Sequence, residues 1–185
     1  MNDITDAPWF LPAVLAAVLL LGLLAWRWFA GRKSPLQKAI SDISFDQLHD
    51  LVIPSADEGE IHIDELLLTS QGLLILEVKD VEGKVFGSDK MSDWTVMAEG
   101  RRFTFSNPQP GLYDRIAAVR QIVRQVPVEG RILFLEGAEF TKGVPSLVCS
   151  LEELVAEFGE PDMDAALSKV EAFQPHWELV RKAAG

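Results

Sequence analysis

Twenty consecutive residues near the start of the chain carry no charge. From Ala7 to Trp26 the sequence reads APWFLPAVLAAVLLLGLLAW, and a helix of that length rises ~30 Å, the thickness of a bilayer's hydrocarbon core. Trp9 and Phe10 stand at one end of the run, and Trp26, Trp28 and Phe29 at the other. Such aromatic belts sit at membrane interfaces. Asp3 and Asp6 precede the run, while Arg27, Arg32, Lys33 and Lys38 follow it. A cleaved signal peptide has a basic leader and a shorter apolar stretch, so this pattern reads instead as a retained anchor. The expected division is therefore an N-terminal transmembrane anchor over 1–33, its helix at about 7–29, and a folded domain over 34–185. By the positive-inside rule the N-terminus lies outside and the domain in the cytoplasm, at the plasma (inner) membrane.

Charge narrows the function of that domain. The chain has 17 Lys+Arg and 28 Asp+Glu, a net charge of −11. A protein that holds nucleic acid by bulk charge is excluded, although a local basic surface is not. One cysteine, Cys149, cannot close an internal disulfide, and three scattered histidines (His49, His62, His176) offer no zinc-ligand spacing.

Periodicity gives the order of elements. Ser34 and Pro35 open a short helix over 35–43 as N-cap and first helical residue. Strands are expected at 48–53, 83–87, 94–98, 101–105, 131–137 and 146–149, with an apolar hairpin over 61–79. Leu112, Ile116, Val119, Val123 and Val126 follow helical spacing and set a helix at 111–126. Ser150 and Glu153 form a capping box for a helix through Phe158. A last helix starts near Asp162, with Pro175 placed to kink it. The predicted class is α/β of the α+β type, a mixed sheet flanked by helices. Trp94, with Gly83 and Gly87, reads as a turn-and-packing unit of that sheet.

The hairpin carries the chemistry. Alternation puts Leu73, Ile75, Glu77 and Lys79 on one strand face. If the turn closes across Thr69 and Gly72, Leu68 faces Leu73, Leu66 faces Ile75, and Asp64 opposes Glu77. Opposed like charges destabilise a strand pair, and a divalent cation is the simplest remedy. Mg²⁺ takes one or two carboxylates, with water and phosphate oxygens completing its shell. The backbone carbonyl of Val78 is a further candidate ligand. Lys79 is placed to orient water or neutralise phosphoryl charge. As a purely structural alternative, Glu77 and Lys79 form a solvated ion pair and Asp64 begins a strand.

These residues resemble the NERD (nuclease-related) domain family. The resemblance rests on Ile63-Asp64, Gln71-Gly72, Glu77-Val78-Lys79, Gly83-Lys84-Val85, Gly87, Trp94 and Asn107-Pro108. The later RILFLEGAEF extends it, so that it is strongest over 45–155. It implies a restriction-endonuclease-like fold with a mixed four-stranded core sheet. It also implies that Asp64, Glu77 and Lys79 form a metal-dependent nuclease signature. Two departures are visible: 35–43 lacks the family's Gly-Glu pair, and Gly111 and Arg115 stand where Gln and His often follow Asn-Pro.

Arg101, Arg102, Arg115, Arg120 and Arg124 form a local basic excess over 100–126, with Asp114 the one acid there. They are candidates for phosphate contacts beside the hairpin, or for a solvated helix face. The expected function is thus a membrane-anchored nuclease that uses Mg²⁺ or Mn²⁺ and acts on nucleic acid. The alternative is an inactive module of the same fold that binds nucleic acid or a protein at the membrane.

Overall fold

The computed structural model describes residues 34–54, 59–160 and 162–184. The expected membrane anchor lies outside them. Among the described residues no helix is long and apolar enough to cross a membrane.

The first helix, α1 (Pro35–Ile43), starts where Ser34 Oγ accepts the Gln37 backbone N–H at 3.1 Å. Three strands follow: β1 (Asp46–Pro54), β2 (Glu60–Thr69) and β3 (Gly72–Lys79). The β2–β3 turn closes as the sequence predicts, with Thr69 opposite Gly72, Leu68 opposite Leu73 and Leu66 opposite Ile75. Gly72 takes φ +134° there, a conformation that glycine reaches without side-chain strain.

Three further strands make a meander: β4 (Gly83–Phe86), β5 (Asp93–Ala98) and β6 (Arg101–Ser106). Helix α2 (Gln109–Ile122) then crosses over to β7 (Val128–Phe134), which runs parallel to β3. The chain ends with β8 (Ala138–Phe140), β9 (Val148–Cys149), α3 (Leu151–Phe158) and α4 (Met163–Ala183). Both halves of the predicted capping box at Ser150 and Glu153 are formed. Helix α4 continues through Pro175 to Ala183.

The fold is α+β, with two mixed sheets flanked by helices, as in restriction-endonuclease-like proteins. The sequence reading had one sheet; the structure divides the strands into two. One holds β1-β2-β3-β7-β9 and the other β6-β5-β4-β8. At the edge of the second sheet β8, a three-residue strand, pairs in parallel with β4.

Alternation on the central strands sorts the core. Leu73 and Ile75 of β3 share a cluster with Val128 and Ile132 of β7, Leu112 and Val119 of α2, and Trp177 of α4. Leu74, Leu76 and Leu133 have the opposite parity and are also buried. There Arg131 pairs with Glu157 of α3 and lies 5.4 Å over the Phe158 ring. Burial pushes the Cys149 thiol up to about 12, leaving it protonated and unreactive at neutral pH.

Trp94 is fully buried, as its expected packing role requires. Its Nε1–H donates to the Ser88 carbonyl at 3.1 Å. A Cβ at Gly87 would lie 2.6 Å from the ring, so the close approach of strand and indole demands glycine.

Candidate active site

Glu77 is 8% exposed, the one acidic residue in the buried class among those described. It sits near the end of β3, and its Oε1 accepts from Lys79 Nζ at 2.7 Å. Isolation of a carboxylate in a core is costly, and charge-assisted partners relieve the cost. Lys79 is one partner, supplied by the same strand face. The other is Arg115 of α2, whose Nη1 lies 3.3 Å from Glu77 Oε2. Arg115 Nε also donates to the His62 carbonyl of β2 at 2.7 Å. One guanidinium thus bridges β2 and β3 at the carboxylate end of the hairpin.

The paired ladder runs to Glu65 opposite Leu76. The ladder stops one step short of Asp64 and Glu77, and Ile63 and Leu66 pack in the same core cluster, so strict alternation breaks between those two residues. Asp64 is exposed. Val78, between the two charged residues of β3, pairs with Leu133 of β7.

Glu65 is a residue that the sequence reading did not single out. Its Oε1 lies 2.9 Å from His49 Nδ1, directly across the β1–β2 ladder. Its Oε2 is buried with no hydrogen-bond partner. Burial raises its carboxyl above the usual range, His49 pulls it back, and the charges of Asp50 and Asp64 add to the rise. Asp50 adopts φ +52°, and its position opposite Asp64 interrupts the β1–β2 pairing between His49–Glu65 and Leu51–Ile63. The signal in the sequence was the acidic pair Asp64-Glu65 facing His49-Asp50, legible only once the β1 register is known.

The five arginines do not share one surface. Arg115 alone contacts Glu77. Arg120 donates to the Val128 carbonyl at 2.7 Å, at the turn end of the hairpin, since Val128 pairs with Leu73. Leu73 and Glu77 are four strand steps apart, ~13 Å. Arg124 lines an open cleft beside Arg120 and Glu129. Arg101 and Arg102 lie on β6 of the other sheet, paired with Ala98 and Met97. Arg124 lies past the end of α2, so the two share the cleft rather than a helix face, and proximity in sequence did not bring them beside the carboxylates.

Asn107 and Gln109 lock the start of α2. Asn107 Oδ1 accepts the Gln109 backbone N–H at 3.0 Å, and Asn107 Nδ2 donates to the Met91 carbonyl at 2.9 Å. Gln109 Nε2 donates to Asp89 Oδ1 at 3.1 Å. These bonds fix the helix that delivers Arg115, which gives Asn107-Pro108 a positioning role.

Two mixed sheets flanked by helices make a nuclease-like fold, and at the end of its central strand β3 the buried Glu77 meets the half-exposed Lys79. The nuclease-related domain (NERD) family matches residues 33–135, and the chain belongs to that family. Among curated proteins it is similar to an uncharacterized protein of Bacillus anthracis, pXO1-01. The two are 26% identical over 103 residues, which cover 54% of this chain and 48% of the relative. The chain thus spans about half the length of that relative. No solved structure matches it significantly.

Proposed function

We propose that the domain is a divalent-cation-dependent phosphodiesterase acting on nucleic acid, held at the inner membrane by its N-terminal apolar segment. The observation that carries this reading is Glu77, buried at a strand end against Lys79, with Asp64 one step past the last β2–β3 ladder pair. Among the described residues, no group of three or more His, Cys, Asp and Glu side chains is placed to hold a metal. A cation here would therefore rest on Asp64, Glu77 and the Val78 carbonyl. That hard-oxygen set fits Mg²⁺ or Mn²⁺, whose remaining positions go to water and phosphate.

Bound there, a divalent ion supplies positive charge to the phosphoryl oxygens. Hydrolysis joins a water oxygen to phosphorus and breaks one P–O ester bond, the departing oxygen gaining a proton. Lys79, 32% exposed at its side chain, reaches solvent while Glu77 fixes its ammonium. It would orient the water or offset charge developing on the phosphoryl group.

A second reading, a non-catalytic binding module, is favoured by Arg115, which already neutralises Glu77 Oε2. The experiment that separates them is cleavage of plasmid and single-stranded DNA and RNA by the full chain in mild detergent, with Mg²⁺ or Mn²⁺. Metal-dependent cleavage lost in Glu77→Gln and Lys79→Ala supports the enzyme. Cleavage that survives both substitutions contradicts the site, and binding without cleavage supports the module.

A further inference from the structure

Arg115 has contacts that the hydrolytic reading does not use. Its Nε–H to the His62 carbonyl is short at 2.7 Å, whereas its Nη1 contact with Glu77 Oε2 is 3.3 Å. Charge-assisted N–H···O bonds are ordinarily ~2.7–2.9 Å. The guanidinium is therefore anchored by backbone that does not depend on Glu77, and the contact to the carboxylate is the looser of the two. The arginine fork is planar and rigid, so it stays in place between β2 and β3 if the Glu77 contact is given up.

We propose that Arg115 governs divalent-cation loading of the Asp64/Glu77 site by occupying Glu77 Oε2 as a built-in competing cation. The inference rests on the metal-site reading above. With Lys79 on Oε1 and Arg115 on Oε2, Glu77 has no oxygen free of a positive partner. An incoming divalent ion must displace or share one of them, against the repulsion of a fixed like charge. The longer contact is the one that yields. Arg115 is in this sense a positioning residue: it keeps Glu77 compensated and buried when no ion is present, and it sets the ion concentration at which the site fills.

The test is Mn²⁺ uptake by the full chain in mild detergent, read from loss of the free-ion paramagnetic resonance signal. Arg115→Ala is expected to bind Mn²⁺ about tenfold tighter than the wild type or more, with Arg115→Lys in between because it keeps charge but loses the fork. The gain must vanish when Glu77→Gln is added, as coupling through that carboxylate requires. Lys182→Ala, which removes a charge from exposed α4 surface, controls for net charge and should leave affinity unchanged. Affinity equal to or weaker than wild type in both Arg115 variants, or a gain that persists with Glu77→Gln, overturns the proposal. Unchanged Mn²⁺ affinity with weakened polynucleotide binding does so too, and makes Arg115 a phosphate contact. If the wild type binds Mn²⁺ and Arg115 does not matter, the metal site stands alone. If no variant takes up Mn²⁺, both readings fall.

Discussion

Lys79 Nζ lies 2.7 Å from Glu77 Oε1, two residues along the same strand. Its partner is buried and its own side chain is partly open to solvent. On the proposed reading, that asymmetry lets the Lys79 ammonium meet a substrate while Glu77 holds it. Lys79→Ala should lower the single-turnover cleavage rate by about 10²–10³-fold, the usual loss for one transition-state charge partner. Binding of polynucleotide should change much less. Equal losses in binding and rate would reassign Lys79 to substrate capture.

Asp46 Oδ2 accepts from Trp177 Nε1 at 2.8 Å and from Arg181 Nη2 at 2.6 Å. One carboxylate at the start of β1 thus ties down α4, and Trp177 is fully buried. Asp46→Ala leaves an indole N–H buried without a partner and should cost ~1–3 kcal/mol of stability. Urea unfolding followed by tryptophan fluorescence checks it.

Gly72 faces a different constraint. At φ +134° a side chain is strained, and a Cβ would run into the Pro127 carbonyl, which accepts the Leu73 N–H at 2.9 Å. Gly72→Ala should therefore cost more than ~2 kcal/mol, strain and clash together. A shift of the denaturation midpoint with an unchanged slope is the expected signature.

Glu65 introduces a dependence on pH. Its raised carboxyl means that the folded state binds this proton more tightly than the unfolded chain does. Stability from this residue is full below the unfolded value, ~4.3, and is lost as pH rises through the higher folded value. Glu65→Gln should thus gain on the wild type as pH is raised across that window. Carbon-13 titration of the Glu65 carboxyl gives the direct check, and a midpoint at or below ~4.3 would refute it.

Much of the fold was legible in the sequence because local rules agreed with one another. The hairpin register followed from alternation and the Gln71-Gly72 turn, and the Ser150 cap formed as expected; Leu112, Ile116 and Val119 make the buried α2 stripe, while Val123 and Val126 are buried past the helix end. Boundaries moved where packing decided: α2 spans 109–122 rather than 111–126, and β7 begins at Val128 rather than 131. The division into two sheets was not legible, since β8 has three residues and its partner β4 is over fifty positions earlier. Within the site, the Glu77–Lys79 ion pair followed from strand parity, whereas alternation through Asp64 did not hold, since Ile63 and Leu66 pack in the same core cluster. The role of Arg115 did not follow from parity either, because its contact with Glu77 spans 38 residues and depends on where α2 crosses the hairpin. The dispersal of the other arginines has the same cause.

The central claim is that Asp64 and Glu77 share one divalent cation. Anomalous diffraction from crystals of the full chain soaked in Mn²⁺ tests it most directly. The account expects one strong peak within bonding distance of a carboxylate oxygen of each residue, absent in Glu77→Gln. Asp64 turned to the opposite face of the hairpin from Glu77, or no peak there at saturating Mn²⁺, would contradict it.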